Sequence, residues 1–525
     1  MKHSLALMLV LVAAAYVLPA QLAPRRFPTD DSFFYLQVAR NIAAGHGSTF
    51  NTVSPTNGYH PLWIGPCVLA EAIARGDRDL ALRIVFAIQA ALALGAIALF
   101  RASARALAIQ SWPLAVPLLA AFFLTGLYGS EAHINGFCLL ASVLLLIRHA
   151  KEPSRGSALL LGASLGFSLL ARLDNVFFVA AVAIAAAWTA TRSASARAAT
   201  LVWVALPALA LALPYLAWNV VSFGHIVPIS GAIKSTFPEF RPDLRNLGTL
   251  GLMSLAGGVV ATFVLARCGT LDLRRAALWP LAVGVLAHAL YIVGYTDHNT
   301  HWSWYYVPGV VLLAFLLAIA ADGLARLFRP RAWKTVATAA IILLTAWGVT
   351  RGWARYRNAD AASHNQFVFE LLPATPYDHW TVQFAWWMDA NLPKGSRVLA
   401  FDYPGAMAYY SSLRIVTADG LMGDFEFDGE LRRDGLERYL AAHDIRYYLG
   451  PAPASAGRCD SAIVRAPLTR IPVGQILRCP GDLVTTSSDV TRGVEDPGVA
   501  LHRIRRVVHP PSVARERVIK HGALW

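Results

Sequence analysis

From Leu5 to Val349 the chain repeats one pattern, an apolar run followed by a short polar break. Runs of this kind leave little freedom. In a bilayer core every backbone N–H and C=O must find its partner within the segment, so such runs fold as α-helices. They fall at Leu5–Leu18, Leu80–Phe100, Trp112–Tyr128, His133–Ile147, Ser157–Leu170, Val176–Ala190, Leu201–Phe223, Leu247–Ala266, Ala277–Tyr295, Tyr305–Ala320 and Trp333–Val349. Composition agrees, with 56% hydrophobic and 15% charged residues against about 25% charged in soluble domains. The expected fold is a polytopic α-helical membrane protein of about 11 spans.

The excess of basic residues (46 Lys and Arg against 32 Asp and Glu, net +14) has a topological explanation. Lys and Arg collect in cytoplasmic loops. Here they gather as Arg101 and Arg105; Arg148, Lys151 and Arg155; Arg192 and Arg197; Arg267, Arg274 and Arg275; and Arg326, Arg329, Arg331 and Lys334. The turns at Tyr128–Ala132 and Tyr295–Ser303 carry none. No nucleic-acid-binding motif is present, and no nucleic-acid partner is expected. The first run reads as a retained helix rather than a cleaved signal peptide, and both readings leave residues 21–79 on the outer face. An odd number of spans puts residues 351–525 there as well, apart from the membrane domain of residues 1–350.

That tail is charged and rich in Pro and Gly. TVQFAWWMDANLPKG reads as a helix, RVLAFD as a strand, AMAYYS as a helix, LRIVTAD as a strand, GELRRDGLERYLAAHD as one amphipathic helix and IRYYLG as a strand. The alternation predicts a C-terminal soluble α/β domain, with no element legible beyond Pro451. Cys459 and Cys479 are the two cysteines of the tail, and an exported domain lets them pair. Cys67, Cys138 and Cys268 read as small buried apolar residues, and no zinc spacing occurs.

Between the first two spans lies PTDDSFFYLQVARNIAAGHGSTFNTVSPTNGYHPLW, residues 28–63. Two adjacent carboxylates, Asp30 and Asp31, open it. A helix over Ser32–Ala44 follows, with Asp31 suited to cap it and Asp30 ahead of it. A second helix from His60 to Arg75 contains Pro66 and is too short to span. It is expected to lie along the outer surface.

Ionisable residues at span ends are candidates for function, and the outer ends collect several. Glu131 sits in one outer turn and Arg172 with Asp174 in the next. Lys234 follows the seventh span, and His298, His301, Trp304 and Tyr305 lie between the ninth and tenth. Each has a plainer role open to it: Arg172 pairing with Asp174, Glu131 capping a helix, the aromatics forming an interfacial belt.

The acidic pair, the motif NG-x-H-P-L-W and the span pattern together resemble the glycosyltransferase-C superfamily, and bacterial relatives of protein mannosyltransferases and arabinofuranosyltransferases within it. The resemblance covers the membrane region and WWMDANLPKGSRVLAFDYPGAMAYYS of the tail. It implies a polyprenyl-phosphate sugar donor, a glycan, lipid or protein acceptor, a bacterial inner membrane and catalysis on its outer face. By that resemblance the first acid, Asp30, is the general base beside Asp31. Glu131 is the acid of the second outer turn, with a divalent metal, Mg or Mn, between Asp31 and Glu131 as one way of holding the donor phosphate. Lys234, Arg172 and His301 are candidate cations for that phosphate, and Tyr35, His60, Glu131, Trp304 and Tyr305 candidate cavity walls. The acceptor motif of oligosaccharyltransferases is missing, which argues against transfer to asparagine. A transporter of lipid-linked sugars and an inactive scaffold relative are the alternatives. Charges at outer span ends rather than the midplane, with no repeated halves, weigh against transport.

Overall fold

A computed structural model describes residues 10–508 except 126–127, 191–192, 268–272, 297–302, 328–331, 351–379, 401–403, 433–434, 453–458, 466–471 and 491–498, with scattered positions in 12–23 and 334–349 and at 419, 424 and 506. The expected first span falls largely outside this description and the expected last span in part, and His298 and His301 wholly so. Among the described residues, six helices are long and apolar enough to cross a bilayer. They include α3 (Arg78–Ala106), α5 (Ala132–Lys151) and α8 (Ala194–Phe223), then α10 (Gly248–Arg267), α11 (Leu273–Tyr295) and α12 (Val307–Ala325). Three expected spans are shorter apolar helices, α4 (Val116–Thr125), α6 (Arg155–Ala171) and α7 (Val176–Ala190). At 1.5 Å per residue each falls short of a full hydrocarbon core.

The connections are built by side chains as the sequence chemistry requires. Asp77 caps α3 by accepting from the amides of Asp79 and Leu80, which relieves two of the donors a helix start leaves unpaired. Ser154 and Ser157 form a capping box on α6. Gly224 ends α8 at φ 70°, a conformation only glycine adopts without strain.

Two helices precede α3. The first, α1, is Asp30–Ala43 and the second, α2, is Pro61–Ala74. Helix α1 therefore starts two residues earlier than expected and takes both acids into its first turn, where the macrodipole favours negative charge. Helix α2 continues through Pro66. Leu69 and Ile73 on one side of α2 are exposed, and Trp63, Cys67 and Ala70 on the other are buried.

The strands lie at 397–508. Between α13 (Trp380–Asn391) and α14 (Pro404–Tyr410) runs β1 (Arg397–Ala400); β2 is Arg414–Thr417 and β3 Ile445–Pro451. The expected amphipathic helix is two, α15 (Phe425–Arg432) and α16 (Leu436–Ala442), because Gly435 interrupts it. Beyond Pro451 five further strands appear: β4 (Asp460–Arg465), β5 (Pro472–Arg478), β6 (Leu483–Thr486), β7 (Val499–Arg503) and β8 (Val507–Val508). One sheet has the order β2-β1-β3-β7-β6, parallel across β1, β2 and β3 and antiparallel at β7. Strands β4, β5 and β8 make a second, antiparallel sheet.

One core joins the two parts of the chain. Phe33 and Leu36 of α1, Trp63 of α2 and Phe86 of α3 pack in the same cluster as Phe384, Met388, Tyr409 and Ile415 of the tail. Arg40 and Arg78 donate to the Tyr409 and Tyr410 carbonyls across the junction.

Cys459 and Cys479 are disulfide-bonded, 20 residues apart. Closing a loop of that length contributes on the order of 3 kcal/mol. A Cys459→Ser/Cys479→Ser protein is therefore expected to unfold at lower temperature by about that energy in a thermal melt. An unchanged transition would assign the bond no stabilising role.

Candidate active site

Successive helix residues point about 100° apart, so the two acids of α1 have different surroundings. The buried Asp30 carboxylate faces the tail. Its Oδ2 accepts from the Gly405 amide at 3.1 Å and its Oδ1 from the Ala406 amide at 3.0 Å. Gly405 permits this approach, since a Cβ there would stand 2.4 Å from the Asp30 carbonyl oxygen. Asp31 lines a small cavity of about 50 Å3. The sequence reading put Asp30 ahead of the helix with access to a cavity and Asp31 at the cap. In the structure the helix begins at Asp30 with Thr29 at the N-cap, so neither acid caps it; the Asp30 carboxylate is bound by the tail and Asp31 faces the cavity.

Four residues on from Asp31, one helical turn, Tyr35 donates its hydroxyl to Glu131 Oε2 at 2.9 Å. Glu131 Oε1 accepts from Arg172 Nη1, and His60 Nε2 stands 3.7 Å from it. Arg172 also grips Asp174 through Nε at 2.9 Å and Nη2 at 2.7 Å. On the far side of Asp174 lies His288 Nε2, at 3.3 Å. Lys234 ends a six-residue helix, α9 (Ile229–Lys234), and donates to the Tyr305 hydroxyl at 2.8 Å. Arg172 stacks over the same ring, 4.6 Å from its centroid. The sequence-predicted residues Asp31, Tyr35, His60, Glu131, Arg172, Lys234, Trp304 and Tyr305 thus share one cavity wall.

Electrostatics differ sharply between neighbours. Burial lifts the Asp31 carboxyl above its ordinary range; Lys234 partly offsets this and Glu131 adds to it. Burial works the same way on Glu131, but Arg172 and His60 outweigh it and hold that carboxyl below its usual value. His60 is pushed down to about 4 by burial, so it is neutral near pH 7. Burial disfavours the Lys234 charge, yet Tyr305 and Asp31 overcome that and raise its pKa.

The turn carrying Glu131 is fastened from three helices. Ser32 donates to the Tyr128 carbonyl at 2.6 Å, Trp63 Nε1 to Gly129 at 2.8 Å and Gln89 Nε2 to Ser130 at 2.8 Å. Asn57 orders the approach to Lys234 by accepting from the Ile229 amide at 3.0 Å while donating to Asn219 at 3.1 Å. Trp63 and Asn57 stand in the NG-x-H-P-L-W motif; Gln89, inside an apolar run, gave no signal of its own.

A second cavity of about 590 Å3 adjoins the first. His60, Arg172, Ser230, Lys234 and Tyr305 belong to both, and its remaining wall is largely apolar, with Val176, Phe177, Val227 and Ile292.

The expected metal meets a donor set already committed. Both Glu131 oxygens are taken by Tyr35 and Arg172, and among the described residues no three His, Cys, Asp or Glu side chains converge. The pair Asp31 and Glu131 does not fit a divalent ion in this arrangement.

No family model matches the chain, and no curated protein matches it by sequence. Solved structures do. The crystal structure of ArnT from Cupriavidus metallidurans in the apo state aligns at a TM-score of 0.50 and 12% identity, over 95% of this chain and 97% of that one. The cryo-EM structure of arabinosyltransferase EmbB from Mycobacterium smegmatis aligns at 0.41 and 13%, over 88% of this chain and 45% of that one. At such identity the likeness, carried by ArnT, is one of fold. The chain is a multi-pass membrane protein with the glycosyltransferase-C fold and a C-terminal α/β region.

Replacing Asp30 tests its placement. Asn keeps one acceptor oxygen and turns an NH2 toward a backbone donor, which leaves a buried N–H unsatisfied. Asp30→Asn is expected to cost about 1–3 kcal/mol, read as a lowered melting temperature of the purified protein. A melt identical to wild type would show that Asp30 does not hold the tail.

Proposed function

We propose that the protein is an inverting glycosyltransferase that moves a sugar from a polyprenyl-phosphate donor to an acceptor hydroxyl on the outer face of a bacterial plasma membrane. One observation supports this above the others: an apolar cavity among membrane helices meets an acid-bearing cavity at Lys234. A prenyl chain suits the first, a reacting hydroxyl the second, and a phosphate the cation between them.

In this reading Lys234 and the Tyr305 hydroxyl receive the donor phosphate. Arg172 shares its charge with Asp174 and Glu131, so its main task is to hold that frame, and Lys234 carries the phosphate. Asp31 takes the proton of the acceptor hydroxyl as its oxygen attacks the anomeric carbon. The new C–O bond forms opposite the bond to phosphate, which breaks and releases polyprenyl phosphate with inversion. Lys234 stabilises the charge gathering on the leaving oxygen. Neutral His60 and the committed Glu131 shape the site without competing for the proton.

Orientation follows from charge. The α5 and α6 helices have their site ends at Glu131 and Arg172 and their far ends at Arg148–Lys151 and Arg155, and basic ends lie on the cytoplasmic side. A disulfide-bonded tail suits an oxidising outer compartment.

Asp31→Asn cannot accept a proton and is expected to lower transfer from a synthetic polyprenyl-phosphate sugar by on the order of 10²–10⁴-fold. Its fold should not suffer, since a carboxylate whose folded pKa is raised costs stability once ionised, a cost that grows as pH rises through that pKa. Wild-type kcat/KM should fall toward acid with a midpoint above the ordinary carboxylate value, because only the ionised base works. Full turnover by Asp31→Asn would remove Asp31 as the base.

Lys234→Ala should weaken binding of undecaprenyl phosphate at least tenfold, the loss of one charge-assisted hydrogen bond of about 1.5–3 kcal/mol. Unaltered affinity in a titration of the purified variant would move phosphate recognition elsewhere.

A further inference from the structure

The two cavities that meet at Lys234 have walls of different origin. Among the described residues, the larger is bounded by the helical domain, through the 172–177 turn, the 225–237 segment and α11. The smaller, which holds Asp31, is closed in addition by Leu421 and Met422 of the tail. These two residues sit in a tight turn, with the Gly423 amide donating to the Gly420 carbonyl at 2.9 Å. The turn is pinned against the membrane domain at two points. Thr56 donates its hydroxyl to the Gly423 carbonyl at 3.0 Å. Gly58 lies so close that a Cβ would stand 2.3 Å from the Leu421 carbonyl oxygen. Past the turn, Phe425 stacks on His225 at 3.9 Å and 11°, and His225 belongs to the wall of the larger cavity. Among the described residues, the tail thus lines the acid half itself and meets the wall of the larger cavity through the Phe425 ring on His225.

We infer that Leu421 and Met422 form the acceptor-side wall of the catalytic cavity, so that the C-terminal domain selects the acceptor hydroxyl and keeps water from Asp31 without taking part in donor binding. This rests on the glycosyltransferase reading. The acid cavity has room for only a few water-sized groups, which suits the alcohol end of an acceptor whose remainder lies outside. Met422 is buried and its thioether is a pliant apolar surface for such a group. The competitor to be excluded is water. In that side reaction a water oxygen bonds to the anomeric carbon, its proton goes to Asp31, and the bond to phosphate breaks to give free sugar and polyprenyl phosphate.

The test compares the two fates of the sugar. The full-length protein, in membranes of the source cells, receives undecaprenyl-phosphate pentoses and hexoses carrying a radiolabelled sugar. Label released to water is counted against label fixed in membrane acceptor, and affinity for undecaprenyl phosphate is titrated in parallel. Leu421→Ala and Met422→Ala should raise the ratio of hydrolysis to transfer roughly tenfold, with lipid affinity within about twofold of wild type. Met422→Phe should narrow the cavity and slow transfer more than hydrolysis, while Met422→Leu, which conserves volume, should behave as wild type. An unchanged ratio in the Ala and Phe variants would overturn the inference, and so would equal losses of transfer, hydrolysis and lipid affinity. Should Met422→Ala fail a melting check, Leu421→Ala and Met422→Phe decide by the same ratio. A wild-type protein that moves no sugar from any of these donors would sink the glycosyltransferase reading itself, and this inference with it.

Discussion

Arg172 is the charge on which the site's geometry depends. It is buried, and so is Glu131. Ions removed from water survive only when their partners are close and well aligned. Arg172 meets that condition by spending its guanidinium on two carboxylates, Glu131 from the turn before α5 and Asp174 from the turn before α7. His288 of α11 extends the chain of contacts. Arg172 thereby registers the site ends of α5, α6 and α7, and Asp174 ties α11 to them. Removing one partner of such a group costs about 3–5 kcal/mol, because the charge left behind stays buried. That cost explains why the turn bearing Glu131 has three further hydrogen bonds holding it, from Ser32, Trp63 and Gln89. A carboxylate so fully paired is a poor proton acceptor and a poor metal ligand. Beyond burial, its charge is one of those that act on Asp31, raising that carboxyl while Lys234 lowers it.

The adjacent acids then divide their tasks through helix geometry alone. Two carboxylates on consecutive residues repel if they point the same way. Separated by about 100°, one binds two backbone amides of the tail while the other faces the cavity. The identity of the pair is common to both jobs, and only the helix start decides which acid takes which.

This is also where the sequence was least legible. Apolar periodicity located the described helices of the membrane region, with ends that match at Val176–Ala190 and differ by up to seven residues at Ala194–Phe223, because burial in lipid leaves one solution for the backbone but does not fix where a helix stops. The outer-end residues Glu131, Arg172, Lys234 and Tyr305 were visible as costly charges and aromatics in an apolar setting. The helix start was not. Thr29 takes the N-cap and both acids enter the first turn, and the amides that bind Asp30, those of Gly405 and Ala406, lie some 375 residues away. Leu421 and Met422 were unreadable for a similar reason, being ordinary apolar residues that matter through their place. In the tail, Gly435 split a helix whose amphipathic pattern ran through it, and the strands past Pro451 are short and paired out of order, with β7 inserted between β3 and β6.

A tail that shares its core with α1, α2 and α3 is not an appendage to a finished membrane domain. Asp30 binds the tail, and the next residue is the candidate base. Any shift of α14 against α1 therefore moves Asp31 by way of a single peptide unit, and moves the 420–423 turn across the same cavity. The fold couples the shape of the acid cavity to the docking of the C-terminal domain; among the described residues, the tail meets the wall of the apolar cavity at His225, through the Phe425 ring. The two cavities nevertheless share His60, Arg172, Ser230, Lys234 and Tyr305, so a change in how the tail docks acts first at Asp31 and passes to the apolar cavity through those five side chains.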